Sequence, residues 1–392
     1  MRTDLPADFL ATPEGPRADA ILRSCVHCGM CNATCPTYQV LGDELDGPRG
    51  RIYLMKEMFE AGTPNATART HLDRCLTCRA CETTCPSGVR YGELLEIGRG
   101  FVEEGLKRPL VERVVRRWLK GVIASPKWLR RWLRLGVRFR AFAPKRLRSM
   151  IRRPEAEEPA GGTGEILLLQ GCVQRVMTPE TNRHLVSLLT SRGLSVRTDA
   201  KEGCCGALAL HLGDVEDGRT AMRRNLDDVD WRSAGRIVST ATGCCVTLKD
   251  YGHLLGDDPF YGKPAQEFGA RVQDVAEVLA DLTFEKRPDI DRVAWHAPCT
   301  LQHGQKIGGL VERVLTDAGY ELVPVRETHL CCGSAGSYSV LQPEISSELR
   351  DRKAAALAAH GPDAVATANI GCQMHLADAV DAPVMHWVEL LR

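Results

Sequence analysis

The chain has 392 residues, enough for two or three domains with their own apolar cores. It contains 17 cysteines and opens without an apolar leader, so we expect metal-bound thiolates in the reducing cytoplasm and exclude a secreted disulfide framework. The net charge is +1 and no run of apolar residues is long enough to span a bilayer, so we expect neither a transmembrane helix nor a nucleic-acid partner.

Two cysteine runs with the spacing Cys-x-x-Cys-x-x-Cys-x-x-x-Cys-Pro lie near the start of the chain, fifty residues apart. This is the ligand spacing of a two-cluster ferredoxin, in which the last cysteine of each run binds the other cluster. Structural zinc sites usually show paired thiols instead of such a triplet. The spacing therefore predicts two [4Fe–4S] clusters. The first set of ligands is Cys25, Cys28, Cys31 and Cys85, and the second is Cys75, Cys78, Cys81 and Cys35.

A short amphipathic helix is predicted between the two runs, at 51–61, with its apolar side packed over the pair of clusters. Arg49 and Arg51 stand at its start, where a guanidinium could reach a cluster sulfur or a partner. We expect both arginines to be solvated surface residues instead. Residues 1–105 are assigned to a helix-rich ferredoxin domain.

Positive charge is concentrated in the next segment, 106–153. Between residues 107 and 153 there are 17 lysines and arginines and a single acid, whereas the rest of the chain has 34 bases and 49 acids. Two amphipathic helices are predicted here, and Ser125-Pro126 begins the second. Such helices dock on anionic membranes, or pack on their own domain or an acidic partner subunit, and we weight these alternatives equally. The candidate docking residues are Trp118, Trp128, Trp132, Arg116, Arg117, Arg130 and Arg131.

Beyond an acidic linker rich in proline and glycine, at 154–164, strands and helices alternate. Strands are predicted at 165–171, 194–198 and 236–241, and again at 293–296, 321–325 and 364–368. Cysteines follow these strands in the same order, and most are related by a shift of 127 residues, which indicates an internal repeat. We predict two α/β modules with parallel sheets, at 165–285 and 286–392, and an α+β multi-domain fold for the whole chain.

Each module places four cysteines at strand ends, where α/β folds build their sites. A Cys-Cys-Gly sequence occurs once in each, and its glycine permits the sharp turn that two adjacent ligands require. Alignment of the Gly-Cys pairs leaves Cys245 as a spare. Four cysteines per module suffice for one further cluster each, with buried structural thiols as the alternative. The candidate ligands are Cys172, Cys204, Cys205, Cys244, Cys299, Cys331, Cys332 and Cys372.

These motifs cover nearly the whole chain and resemble a family of iron–sulfur subunits that join a two-cluster ferredoxin domain to two cysteine-rich "CCG" modules. The family includes subunits of anaerobic glycerol-3-phosphate dehydrogenase, lactate-utilisation proteins and heterodisulfide reductases. Within it, the sequence is most similar to the iron–sulfur subunits of bacterial glycolate oxidases, also called glycolate dehydrogenases. The blocks that carry the resemblance are 25–31, 46–52, 170–174, 296–304, 331–336 and 369–372.

The resemblance implies a subunit that transfers electrons and has no catalytic residues of its own for substrate oxidation. FAD in a partner flavoprotein would oxidise glycolate to glyoxylate, and electrons would pass through this chain to a membrane quinone. The chain would then be peripheral on the inner face of the cytoplasmic membrane. The sequence also shows no G-x-G-x-x-G after a first strand and no P-loop, so no flavin or nicotinamide site is expected here.

Three alternatives remain open at the level of the sequence, and one is a non-catalytic interaction or membrane-docking protein whose cysteines hold zinc. Lactate or glycerol-3-phosphate could replace glycolate as the substrate of the complex. A thiol–disulfide enzyme similar to heterodisulfide reductase is the third alternative, although Thr247 and His375 stand where that pattern has a fifth cysteine.

Histidines also lie close in sequence to the second module's cysteines. His303 follows Cys299 by four residues and would share its face on a helix. A ligand role, or proton handling at a quinone site, is weighed against the ordinary core or surface position that most histidines occupy. We expect ordinary positions for His296, His303, His329 and His375.

Overall fold

The computed structural model describes residues 1–142, 151, 153–154, 161 and 163–392. Most of the predicted linker and the end of the basic segment therefore lie outside the described residues. The N-terminal part is helical, as predicted. Its helices are α1 (Ala7–Leu10), α2 (Gly15–Ser24), α3 (Pro36–Leu41), α4 (Pro48–Glu60), α5 (Ala66–Asp73), α6 (Ala80–Thr84) and α7 (Tyr91–Gly105), with 3-10 turns at Met30–Thr34 and Glu44–Asp46.

Helix α4 is the helix predicted between the cysteine runs, and it begins three residues earlier than expected because Pro48 occupies its first position. Met55, Met58 and Phe59 on its apolar face are fully buried against α2, α5 and α7. Its N-terminal residues line two cavities between the cysteine loops. The ferredoxin core thus holds the start of α4 against both candidate cluster sites.

The basic segment forms α8 (Leu110–Ile123) and α9 (Pro126–Arg138), followed by a 3-10 turn at Arg140–Phe142. The Ser125 side chain accepts a hydrogen bond from the Trp128 backbone N–H, which is the predicted N-cap. The Trp118 and Trp132 rings meet edge to face with centroids 5.3 Å apart and tie the two helices together. None of the described helices is long and apolar enough to cross a membrane.

Two four-stranded parallel sheets follow, with the orders β2-β1-β3-β4 and β6-β5-β7-β8. Equivalent central pairs show the repeat, since Leu168 lies opposite Val238 in the first sheet and Trp295 opposite Ala366 in the second. The parallel sheets confirm the predicted fold class. The strands are β1 (Ile166–Leu169), β2 (Val196–Thr198), β3 (Arg236–Ser239), β4 (Val272–Asp274), β5 (Arg292–His296), β6 (Glu321–Leu322), β7 (Ala364–Thr367) and β8 (Val384–His386).

Helices cover the sheets as expected for parallel strands. The first module contains α10 (Gln174–Met177), α11 (Pro179–Thr190), α12 (Ala207–His211), α13 (Val215–Asp228), α14 (Thr242–Lys249), α15 (Tyr251–Leu254), α16 (Gly262–Arg271) and α17 (Val275–Leu279). The second contains α18 (Leu310–Asp317), α19 (Tyr338–Leu341), α20 (Pro343–Ala358) and α21 (Ile370–Leu376), with a π-turn at Thr300–Gly304 and a 3-10 turn at Trp387–Leu390.

One apolar core joins the two modules, because buried residues of both sheets and of α11, α17 and α18 belong to the same cluster. The second module also contacts the ferredoxin domain. The Tyr338 hydroxyl donates to the Arg74 carbonyl at 2.8 Å, and Thr83 lies 2.9 Å from the His303 ring. The first module contacts the same domain through the Arg79–Asp250 ion pair. The cysteine-bearing parts are therefore packed as neighbours.

Candidate metal centres

The two ferredoxin loops share an unusual backbone. His27 and Gly29 in the first loop, and Thr77 and Arg79 in the second, all have a positive φ between 57° and 82°. For a residue other than glycine this conformation costs about 1–3 kcal/mol, so it persists only where the surroundings require it. The fifty-residue offset of the cysteines thus extends to the backbone, and each loop curls around a cavity.

One cavity is lined by Cys25, Cys28, Cys31 and Cys85, and also by Cys81. The other is lined by Cys35, Cys75, Cys78 and Cys81. The structure therefore brings together the two crossed sets of four that the ferredoxin spacing predicts. Pro48, Cys81 and Tyr91 line both cavities, so the two sites are adjacent. We call these cavities site 1 and site 2.

The thiols of both sites lie in surroundings that disfavour a free thiolate. Burial raises the pKa of Cys31 to about 11 and raises the pKa of Cys78 and Cys81 well above the ordinary value. A thiolate in such a place needs a metal cation to stabilise its charge. Iron–sulfur clusters meet this requirement and fit the number and type of donors in each site.

Site 2 has polar support that the sequence analysis missed. The Arg51 guanidinium was expected in solvent, but its side chain is 1% exposed. It donates to the Cys35 Sγ at 3.9 Å, the Thr37 hydroxyl at 3.0 Å and the His71 carbonyl at 2.7 Å. Burial disfavours its charge, but the facing Cys75, Tyr91, Cys35 and Asp46 outweigh burial and raise its pKa. The expectation of a solvated Arg51 was therefore wrong, because a buried guanidinium is tolerated where acceptors surround it.

Arg51 belongs to an ion cluster centred on the fully buried Asp46. One oxygen of Asp46 lies 3.4 Å from Arg51 and 2.9 Å from His71, and the other lies 2.8 Å from Arg74. The Tyr91 hydroxyl adds a hydrogen bond to the Cys75 Sγ at 3.6 Å. Hydrogen bonds to ligand sulfurs raise a cluster's reduction potential. Site 2 therefore has more such support than site 1, where Asn32 lies 4.0 Å from the Cys31 Sγ.

The second module brings its four candidate ligands into one group. The Sγ atoms of Cys299 and Cys331 are 3.9 Å apart, while Cys332 and Cys372 lie close together beside the end of β5. Gly333 has a φ of 91°, and a Cβ there would come within 2.6 Å of the Ser346 carbonyl. Only glycine fits the turn that points both adjacent cysteines inward. The Lys353 ammonium is buried beside these thiols and donates to the Glu327 carbonyl at 2.5 Å.

The first module repeats the arrangement. The thiols of Cys172, Cys204, Cys205 and Cys244 lie close enough to interact electrostatically. Gly206 has a φ of 92°, matching Gly333. Cys245 is fully buried in the apolar core, which agrees with its exclusion from the candidate metal ligands. A buried carboxylate, Glu202, accepts both the Gln170 and Gly171 backbone N–H groups at 2.8 Å, and burial raises its pKa to about 7.

The second module's cysteines face site 2 directly. Burial is the main cause that raises the pKa of Cys78, and the proximity of the Cys299 sulfur is the next. Cys331 also lies within electrostatic reach of Cys78, and the three residues belong to one apolar cluster with Leu76 and Tyr338. Nothing in the sequence indicates this contact, because it depends on how the modules pack.

The cysteine groups of the two modules also approach each other. The Asn369 amide donates to the Cys372 Sγ at 3.8 Å, and its oxygen lies 3.2 Å from the position a Cβ of Gly243 would take. The Thr242 backbone N–H donates to the Ala368 carbonyl at 3.2 Å. Gly243 directly precedes Cys244, so Asn369 connects the two groups.

The basic helices show two different faces. Arg116 turns inward to Asp73 and Glu112, and Arg130 is buried and donates to the Arg175 carbonyl at 2.8 Å. These two predicted docking residues therefore hold α8 and α9 on the molecule. Arg117 and Arg131 are exposed, and Trp118, Trp128 and Trp132 are 46%, 52% and 41% exposed. The apolar stripe was expected to be covered if the helices packed on their own domain, but most of it faces solvent.

Comparisons with known proteins agree with this layout. Residues 21–89 match the 4Fe-4S dicluster domain, and residues 166–249 and 293–377 each match the cysteine-rich CCG domain. The predicted iron–sulfur cofactor is thereby confirmed. A solved structure of a hypothetical protein from Helicobacter pylori is similar over 98% of this chain and 72% of that one, with a TM-score of 0.55 and 9% identity, which supports the fold alone.

Three curated relatives illustrate the family. A lactate utilization protein A of Bacillus licheniformis is 26% identical over 58% of this chain and 98% of the relative. A probable glycolate oxidase iron-sulfur subunit of Bacillus subtilis is 30% identical over 91% of this chain and 88% of the relative. The glycolate oxidase iron-sulfur subunit of Escherichia coli (strain K12) is 44% identical over 100% of this chain and 98% of the relative. This chain therefore belongs to the family of glycolate oxidase iron–sulfur subunits.

Proposed function

We propose that this chain is the electron-transfer subunit of a glycolate-oxidising complex. FAD in a partner flavoprotein would oxidise glycolate to glyoxylate, and clusters held by the cysteines of sites 1 and 2 would accept the two electrons one at a time. The observation that supports this most strongly is the contact of site 2 with the second module, because it joins the ferredoxin domain to a further cysteine group. Electron transfer from one metal centre to the next requires that the centres lie close together.

Electrons enter the relay at site 1 in this proposal. Cys28 is exposed at the molecular surface, and the apolar side chains of Val26, Met30 and Tyr53 are exposed around it. Apolar side chains around a surface cofactor suit a docking partner, since interface cores are depleted of charge. The partner flavoprotein would cover this patch and bring its flavin close to site 1.

From site 1 the proposed order is site 2, the second module, then the first module. Site 2 follows because the two cavities adjoin, and the second module follows through Cys78 and Cys299. Asn369 then leads from the second module towards Cys244. The first module is the last centre in this order. It contacts α9 through the hydrogen bond that the Arg130 side chain donates to the Arg175 carbonyl.

The exit would be a quinone at the surface of the cytoplasmic membrane, with α8 and α9 as the attachment. Their exposed face combines apolar residues with Arg117, Arg131 and Arg134. Anionic lipid contributes about 1 kcal/mol for each basic residue near its surface. Most of the acids near α8 are already paired to Arg108, Arg116 and Lys120, so the outward charge is positive.

The test of this function uses the chain purified with an FAD-binding glycolate oxidase subunit. Glycolate should bleach the cluster absorbance only when that subunit is present. In a Met30→Asp variant the apparent affinity of the two subunits should fall at least about tenfold, because a loss of about 1.4 kcal/mol in docking has that effect. Stopped-flow absorbance measures both quantities.

Phe260→Asp is the matched control, because Phe260 is an exposed aromatic residue outside the lining of site 1. It should bleach as the parent does. Bleaching of the isolated chain by glycolate would overturn the assignment of substrate oxidation to a partner. An equal loss in both variants would overturn the placement of the docking patch.

Membrane attachment gives a separate prediction. Replacing Trp118, Trp128 and Trp132 by serine should reduce binding to anionic liposomes by more than tenfold, because burying each large apolar side chain contributes about 1.5–3 kcal/mol. Binding of the parent should weaken as salt screens the basic residues. Co-sedimentation with anionic and neutral vesicles measures both effects, with Phe260→Ser as the control. Unchanged sedimentation of the triple variant would contradict insertion of this face.

A further inference from the structure

The second module contains a buried histidine without a polar partner. His296 is the last residue of β5 and is 2% exposed. Neither ring nitrogen makes a hydrogen bond to any described residue. Buried polar groups in folded proteins nearly always have a partner, so this ring requires an explanation. The other histidines near this module differ, since His303 and His375 both have polar neighbours within 3.2 Å.

The position of His296 supplies the explanation. One of its ring nitrogens and the Sγ atoms of Cys332 and Cys372 all lie within 4.8 Å of one another, and all three residues are buried. Around a single tetrahedral ion with bonds of about 2.0 Å to nitrogen and about 2.3 Å to sulfur, such donors lie roughly 3.5–3.8 Å apart. Among the described residues, no other trio that includes a cysteine is this compact.

The internal repeat shows that the second module has this histidine and that the first module does not. The shift of 127 residues that relates Cys172 to Cys299 places Leu169 where the second module has His296. Both residues end the first strand of their sheet, so the alignment is structural as well as sequential. The first module therefore offers cysteines at its site, whereas the second offers cysteines and an imidazole.

We propose that His296 is a ligand of the metal centre in the second module, together with Cys332 and Cys372. Thiolate and imidazole donors together select iron or zinc. The geometry assigns this set of donors, which suits both metals. The inference rests on the proposed function only in assuming that this module holds a metal. With iron, an imidazole ligand raises the potential of the centre, as histidine does in Rieske clusters.

The test uses the full chain, purified anaerobically with histidine labelled with ¹⁵N in the ring. The parent is compared with His296→Leu, which installs the residue of the first module, and with His375→Leu, a matched buried histidine that has its own partner. Pulsed EPR of the reduced protein detects a ¹⁵N coupling to iron. X-ray absorption at the zinc edge detects a nitrogen neighbour if the metal is zinc.

A ¹⁵N coupling or a zinc–nitrogen shell should be present in the parent and in His375→Leu and absent in His296→Leu. The EPR signals of the two ferredoxin clusters should remain in all three proteins, which shows that the variants fold. Identical spectra and metal content in the parent and His296→Leu would overturn the ligand assignment. Glycolate-dependent bleaching of the ferredoxin clusters would still report on the proposed function, so the two proposals fail separately.

Discussion

Replacing Arg51 by leucine should destabilise the ferredoxin domain by about 3–5 kcal/mol, the usual cost of removing one partner from a buried ion cluster. Asp46 would keep Arg74 and His71, but its carboxylate is fully buried and would lose one of three cationic or hydrogen-bonding neighbours. Thr37 and the His71 carbonyl would lose a donor as well. Denaturant titration monitored by cluster absorbance measures the loss.

The same change should lower the reduction potential of site 2. Arg51 brings a full positive charge and a hydrogen bond to the Cys35 Sγ. Removing one charge at roughly 8 Å in a medium with a dielectric constant of about 20 shifts a one-electron potential by on the order of 50–100 mV. EPR-monitored redox titration should show this shift at site 2 and little change at site 1.

Two control variants separate charge from hydrogen bonding. Arg51→Lys keeps the charge but loses the planar fork, so it should retain most of the potential and lose part of the stability. Arg23→Leu removes an exposed arginine paired with Asp19, which should cost less than about 1 kcal/mol. If Arg51→Leu changed stability no more than Arg23→Leu does, the buried cluster would not stabilise the domain.

Arg51 also illustrates what sequence could not predict. Helical periodicity places it on the same face as Met55 and Met58, but solvent is the ordinary environment of an arginine side chain. The acceptors that surround it come from α3, α5 and the turn before α4, and their meeting depends on tertiary packing. The cysteine spacing was informative for the opposite reason, because cluster geometry dictates short local intervals between ligands.

The sheets show the same division between local and tertiary information. Six predicted strands are present within one or two residues of their expected ends in most cases, and four of them are runs of mostly buried residues. The strands at Val272–Asp274 and Val384–His386 were missed, because three residues carry no recognisable periodicity. His296 was ranked as an ordinary residue, and only its unpartnered burial beside Cys332 and Cys372 sets it apart.

Disrupting the second module should stop electrons from reaching the first. In a Cys331→Ser, Cys332→Ser variant the second module should lose its centre, with a loss of about four irons if that centre is a cubane cluster. The two ferredoxin clusters should still be reduced by the flavoprotein, because their ligands are untouched. The first module's centre should remain oxidised, since its connection to site 2 runs through Cys299 and Asn369.

The matched variant is Cys204→Ser, Cys205→Ser, the same change at the repeated position of the first module. It should also lose its own centre, but the second module's centre should still be reduced, because Cys78 faces Cys299 in both proteins. Freeze-quench EPR after mixing with flavoprotein and glycolate resolves which centres accept electrons. Loss of the second module's centre should block reduction of the first module, whereas loss of the first module's centre should not block reduction of the second. This difference would show that electrons pass through the two modules in series.

Reduction of the first module at the parent's rate in the Cys331→Ser, Cys332→Ser variant would contradict the series and place the first module on a separate route from the ferredoxin domain. That route would then be sought near the Arg79–Asp250 ion pair, since Arg79 directly precedes α6 and Asp250 belongs to the first module. Zinc in the second module would contradict the relay in another way, because zinc has no redox chemistry. In that case His296 would remain a ligand of a structural centre, and the electrons would have to leave the chain at site 2.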